Sequence, residues 1–493
     1  MTDDVIEIAY GDPYSVALPA LTGYSAYENF GLNDQEKLEI LSGTMPGQNM
    51  LVVISYEINT YEIKFMDLSG SHVNYSDKDT STVASDSFDT VWKTVNVKHN
   101  VVPVYEEADP TPNHTTREEY TYSFTGWYGS NDGAIYSGKT PTFPAATSER
   151  NYYAIYDATE NIVAVTYGSK VEYFTDVASA LEFAETNISS GVEMDFRRNA
   201  GNERVLNLND DTLVFGNTYT GTTNYTVTID LNGIALQNTK GQSVVENTLR
   251  PLTIVISDSG AGGNISVTGD DDVIAIQSTT GSLTVNNQIS VDVTSNNGDA
   301  TGIKFGNATN SYTLSYANEL SSINVTAANG TACGIDVVGT STVKPTAVNV
   351  TGKDAVGIRT NDGTALTLSG TTMALNVSGT ENATGICIAE GTSLVNTVSN
   401  TKEQTVTSQG DAYGIYNEGT LSSLNLKVTV TGANNAYGLY NKAGTVTVTG
   451  IGSGVDLRAT GTNGYGLYNQ ADGTAIGAED SNKLNKGAFA GSS

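Results

Sequence analysis

Apolar and polar residues alternate in short runs along most of the 493-residue chain. Val5 to Tyr10, Leu51 to Tyr56, Tyr61 to Phe65, Tyr152 to Tyr156, Val163 to Tyr167 and Leu252 to Ile256 are short apolar-rich runs that read as strands. Helical periodicity is scarce. Its best case is 177–185, where Val177, Ala180, Leu181 and Ala184 fall on one face and Asp176 stands at the N-cap. The pattern predicts an all-β protein with a single notable helix.

One phrase recurs. Ala412-Tyr413-Gly414-Ile415-Tyr416-Asn417 returns at Ala436 to Asn441 and, with Gly464 first, at Gly464 to Asn469. Weaker copies surround Gly302-Ile303, Gly334-Ile335, Gly357-Ile358 and Gly385-Ile386, each with alanine two positions before the glycine, and Ala275-Ile276 is a degenerate copy. The steps are 27, 32, 23, 28, 29, 24 and 28 residues. Each repeat holds the Gly-Ile strand and a turn, often Gly-Thr (339, 363, 391, 419, 444, 473). A second strand such as Ala365 to Leu368 follows, then a third such as Leu375 to Ser378. Three short strands in a variable repeat predict one coil of a parallel β-helix, with turns that change length around constant strands. Glycine is expected at the corners because it reaches positive φ without strain.

Strict alternation through the Gly-Ile strand points Ile303, Ile335, Ile358, Ile386, Ile415, Leu439 and Leu467 inward. Residues two later share that face, so Asn417, Asn441 and Asn469 are expected to form an internal ladder. The opposite face would carry the alanines and glycines, then Lys304, Asp336, Arg359, Cys387 and the stack Tyr416, Tyr440, Tyr468. By the same count Tyr413, Tyr437 and Tyr465 point inward, an awkward place in a thin solenoid that a position at the strand's edge would relieve.

Three regions follow: 1–56, 57–157 and 158–493. The motif Tyr120 to Trp127, then Asn151 to Tyr156, resembles the Listeria–Bacteroides repeat of internalin B-repeat and mucin-binding-like modules; Gly23 to Tyr27, Pro46 and Tyr56 form a shorter counterpart. The resemblance implies two small β-grasp-like modules of a bacterial surface protein. The first lacks a Trp and its opening strand, and the insert from Gly70 to Thr116 is longer than usual. The helix at 176–185, Ile229-Asp230-Leu231-Asn232-Gly233 and Leu252 to Gly260 resemble the start of pectate-lyase-like right-handed β-helices of bacterial adhesins. That resemblance implies a right-handed parallel β-helix of about 8–10 coils, with the amphipathic helix capping the apolar end of its first coil.

Charge narrows the partners. The formal net charge is −30, shared equally by 1–157 and 158–493, which disfavours nucleic acid and anionic lipid. No apolar run reaches the ~20 residues of a membrane span, and Met1 to Asp4 does not open a signal peptide; the chain reads as a slice of a longer protein. Cys333 and Cys387 are expected to be free thiols. Alternation puts them on opposite faces, and two rungs at ~4.8 Å separate them by more than a disulfide spans.

No catalytic motif emerges. His72, His99 and His114 all precede the solenoid, and its basic residues do not recur on one column. Asp270-Asp271-Asp272 and Asp210-Asp211 are expected to be solvated turns, with a structural calcium as the lesser alternative; Asp299, Asp354 and Asp411 are expected at corners. No cofactor or metal is implied. The candidate ligand-binding residues are Tyr416, Tyr440 and Tyr468, because stacked phenols suit a sugar face or a protein partner; the plain alternative is a ladder that stabilises the solenoid. The expected function is non-catalytic adhesion to a host or mucin glycan or a host protein. The chain would act as a monomeric fragment of an extracellular, cell-surface protein of a Gram-positive bacterium. A polysaccharide lyase or hydrolase and a purely structural stalk are the alternatives.

Overall fold

The computed structural model describes residues 6–28, 37–38, 40–67, 90–107, 120–197, 204–208, 211–240, 242–286, 289–307, 314–316, 322–344, 347–361, 363–370, 373–398, 404–423, 426–448, 455–470, 476–478 and 488–492. Most of the insert 70–116, His72, His114, Asp210, the Gly473-Thr474 turn and most of the Lys483 to Ser493 tail lie outside them. The chain divides into two units, 1–159 and 160–493.

In the first unit, antiparallel pairs join Pro13–Ala17 to Ile40–Thr44 and Tyr24–Glu28 to Ile54–Ile58. Residues 6–9 are irregular rather than a strand: the chain turns at Gly11, with φ 83°, before the first strand forms. A five-stranded mixed sheet follows, with Thr60–Asp67 parallel to Arg150–Glu160 and antiparallel to Thr90–Lys98. Its core is aromatic. Trp127 is fully buried, with ring centroids of Phe65, Tyr105 and Phe124 at 4.9, 4.8 and 5.2 Å, and its indole N–H donates to the Lys139 carbonyl at 3.0 Å. Large flat rings let so small a sheet bury enough apolar surface.

The second unit is a parallel β-solenoid of about 8 turns, and the protein is all-β. The helix α1 (Val177–Thr186) begins where Asp176 accepts the Ser179 N–H at 2.8 Å. It buries Val177, Ala180 and Ala184 in the solenoid core. Glu185, also buried, accepts the Gly216 and Thr218 N–H groups at 2.6 and 2.9 Å, which satisfies its charge and ties the cap to the first coil. Val163–Tyr167 pairs antiparallel with Val192–Phe196; from that strand onward the solenoid pairings are parallel.

Each coil contributes three strand positions, hereafter the Gly-Ile face, the turn-following face (Thr340–Val343, Ala365–Leu368, Ser393–Asn396, Thr420–Ser423, Thr445–Val448) and the valine face (Ser290–Ser295, Gln404–Ser408, Leu426–Gly432). In three coils the valine and Gly-Ile strands merge into single bent strands, Ser322–Val337, Ala347–Thr360 and Ala374–Ile388. The isoleucine column is continuous in register from Val245 through Ile276 and Ile303 to Leu467. Inside it, Phe305, Val337, Thr360, Ile388, Asn417 and Asn441 are fully buried.

Candidate binding face

The Gly-Ile strand bends at its glycine, and this decides which side chains reach solvent. Register pairs Ala412 with Ala436, Tyr413 with Tyr437 and Ile415 with Leu439, passing over Gly414. A Cβ on Gly414 would lie 2.3 Å from Val428 Cγ1 and 2.4 Å from the Gly438 carbonyl oxygen; Gly302, Gly334, Gly357 and Gly385 meet the next glycine's oxygen at 2.5 Å. These glycines are required by close approach to the valine face and the next coil, and none of them has a positive φ. Of the Gly-Thr corner glycines, Gly339, Gly363, Gly391 and Gly444 have the expected positive φ, as at Gly363 with 76°, whereas Gly419 does not.

Because the bend absorbs one residue, alternation does not pass through it. The alanines Ala300, Ala332, Ala355, Ala383, Ala412 and Ala436 are buried, not on the outer face as expected. Tyr413, Tyr437 and Tyr465 point outward instead of inward. Cys333 and Cys387 therefore share the outer face rather than occupying opposite ones. Their separation by two rungs persists, since Cys333 pairs with Val356 and Arg359 with Cys387. Both thiols are free. Burial pushes Cys333 up to about 12 and raises Cys387, so neither is an activated nucleophile.

Tyr416, Tyr440 and Tyr468 form the expected stack, with centroids 5.5 and 5.2 Å apart and planes within 8°. The second stack, Tyr413–Tyr437–Tyr465, has spacings of 5.2 and 5.5 Å and planes within 10°. Rings of the two stacks meet edge to face, for instance Tyr413 and Tyr416 at 5.5 Å and 88°. Two stacks at right angles cannot both lie flat across the axis, so the rings tilt in a herringbone. Tyr413, Tyr416, Tyr437 and Tyr440 are half-buried, and the Tyr416 hydroxyl is 3.4 Å from Glu418 Oε1. Exposure is greatest at Tyr465 and Tyr468, 41% and 36%. Tyr440 donates to Gln470 Oε1 at 2.8 Å, and Lys442 Nζ sits over Tyr416, 5.8 Å from its centroid, while pairing with Glu418 at 2.7 Å. Burial pushes Tyr413 up to about 12 and raises Tyr416 and Tyr437. At neutral pH these phenols stay protonated and able to donate. The asparagine ladder behind them forms, Asn417 donating to Asn441 at 2.7 Å and Asn441 to Asn469 at 2.8 Å, but only Asn417 and Asn441 are buried; Asn469 is exposed.

Upstream the same two outer columns continue into a polar knot. Arg359 forms a two-point contact with Asp336 at 3.1 and 2.8 Å, and Asn361 adds a third hydrogen bond at 2.5 Å. The hydrogen bond to Asp336 raises the Arg359 guanidinium further. Arg359 stands in the column of Cys387, one coil before it, beside the column of Cys333.

The acidic candidates serve turns. Asp270 accepts from Asn296 at 2.8 Å and Asp272 from the Asp299 N–H at 2.8 Å. Asp299, Asp354 and Asp411 each accept from the following coil, at 2.7, 2.8 and 2.9 Å. Among the described residues no three His, Cys, Asp or Glu side chains converge on a metal-sized site. One carboxylate pair was not anticipated: Asp195 and Asp230 are in register on adjacent rungs. Burial, then the charge of Asp230, pushes Asp195 up to about 6. Asp230 is committed to the Asn232 and Ser259 N–H groups at 3.0 and 2.9 Å, so its role is to hold a turn. Among the described residues no helix is long and apolar enough to cross a membrane. No family model, curated protein or solved structure matches the chain.

Proposed function

We propose that this chain is the displayed part of a bacterial surface adhesin. It binds a host or mucin glycan or a host protein through the tyrosine face of its last tyrosine-bearing coils and turns nothing over. The reading rests on one observation: six tyrosines stand outward in register on a rigid stacked frame. Tyrosine supplies a large, stiff, amphipathic contact at low entropic loss, which is why it is concentrated at binding hot spots. The mutual stacking fixes each ring before a ligand arrives, so little side-chain entropy remains to be lost on binding. Location at the surface of a Gram-positive cell is part of the proposal; the resemblance of both regions to modules of bacterial surface proteins supports the surface location.

The test is a glycan-array and host-protein screen of the full chain beside the triple variant Tyr416→Ala, Tyr440→Ala, Tyr468→Ala. The expected result is a ligand whose affinity falls about tenfold or more in the variant. Equal binding by both, or turnover of an acidic polysaccharide by the wild type, would overturn the proposal.

A further inference from the structure

The valine face carries a column that no repeat phrase announces. In register on successive coils, its outward position is half-buried at Thr268 and Thr294. It is exposed at Thr326, Thr351, Ser378, Thr407, Thr431 and Thr460. Eight consecutive coils thus place a hydroxyl at the same point, one every ~4.8 Å along the axis. Among the described residues none of these eight hydroxyls hydrogen-bonds another protein group.

The neighbouring outward column behaves in the opposite way. Asn376 donates to Asn349, Asn349 to Asn324 and Asn324 to Asp292, at 2.8, 2.8 and 2.6 Å. Those amides are spent on one another, as a structural ladder spends them. The threonines two residues away contribute no such ladder, so β-propensity accounts for a branched residue there but not for an unbroken file of idle hydroxyls.

We infer that the threonine column is a second binding surface, distinct from the tyrosine face, for a neutral, extended, linear polysaccharide lying along the solenoid axis. Three features select that occupant. The array is one-dimensional, because Asp292, Asn324, Asn349, Asn376 and Arg458 interrupt hydroxyls in the adjacent column; a two-dimensional lattice such as ice needs both columns. An extended peptide advances ~3.3 Å per residue and drifts out of step with the rungs, whereas a β-1,4-linked glycan advances by close to one rung per sugar. The net charge of −30 repels polyuronates and nucleic acids.

The test uses the full chain and cello-oligosaccharides of two to six sugars, with polygalacturonate and branched dextran as controls. A second protein carries Thr326→Val, Thr351→Val, Thr407→Val and Thr431→Val, which keeps side-chain shape and strand propensity while removing four hydroxyls. Affinity is expected to rise with oligosaccharide length and to fall about tenfold or more in the valine variant, with an unchanged melting temperature. The tyrosine triple variant should bind these sugars like the wild type, which separates this inference from the adhesion proposal. Absence of binding at every length, equal binding by the valine variant, or preference for polygalacturonate would overturn it. So would ice-growth inhibition by the wild type that the valine variant loses.

Discussion

The two cores of this chain are built on opposite plans. In the first unit, Phe65, Tyr105, Phe124, Tyr152 and Trp127 interlock around a single point, with Trp127 in ring contact with four aromatic neighbours. In the second, aliphatic side chains stand in files one per coil, and each coil packs against the next. A knot has a keystone and a file does not. Stability in the first unit therefore concentrates in a few residues, whereas in the solenoid it is a sum of nearest-neighbour terms. That difference also explains where binding chemistry can be placed: a structure whose stability lives in internal files leaves its outer columns free to vary.

The largest effect should come from removing the keystone. Trp127→Ala empties the centre of the aromatic core and should destabilise the first unit by about 3–5 kcal/mol. In calorimetry the transition of residues 1–159 should move far down or vanish while the solenoid transition stays in place. A common shift of both transitions would break the contrast. Next is Gly414→Val, which drives methyl groups into Val428 and the Gly438 carbonyl. A loss of about 3 kcal/mol is expected, with hydrogen exchange accelerated in the neighbouring coils and unchanged near the cap helix. Third, Asn441→Ala interrupts the inner ladder and leaves Asn417 short of a buried partner. About 1–2 kcal/mol should be lost, again local by exchange.

The smallest effect concerns pH. The folded state raises Asp195 to about 6 from its ordinary 3.8, so it holds that proton longer than the unfolded chain does. The resulting contribution to stability is complete below pH ~3.8 and is lost as pH rises through 6. Asp195→Asn should remove that slope and stabilise the cap end at pH 7 by on the order of 1 kcal/mol, a figure discounted for partial solvent exposure. An unchanged pH profile of melting would show that Asp195 titrates alike in the folded and the unfolded chain.

How much of this was legible depended on whether a feature is local. Asp176 and the apolar spacing of α1 are local, and the helix lies where they place it. The isoleucine file and the Asn417–Asn441–Asn469 ladder repeat one phrase, so alignment of the copies was enough. Alternation failed at Gly414 and its equivalents because the bend is imposed by a strand of another face pressing on the glycine. Nothing within the phrase records that contact. It cost the orientation of Tyr413, Tyr437 and Tyr465, and so half of the candidate site. The threonine column was invisible for a related reason: its members are separated by irregular steps and line up only once register is known. Glu185 reads as one more polar residue on a helix until the Gly216 and Thr218 amides are seen beside it.

The most direct test uses the two most exposed rings. Tyr465→Ala with Tyr468→Ala trims the end of both stacks and leaves the isoleucine file and the other four tyrosines in place. Binding isotherms of wild type and this double variant, against whichever ligand the screen identifies, should differ by about tenfold or more with melting temperatures within a few degrees. Identical isotherms would mean that the tyrosine herringbone only stabilises the solenoid and that binding lies elsewhere.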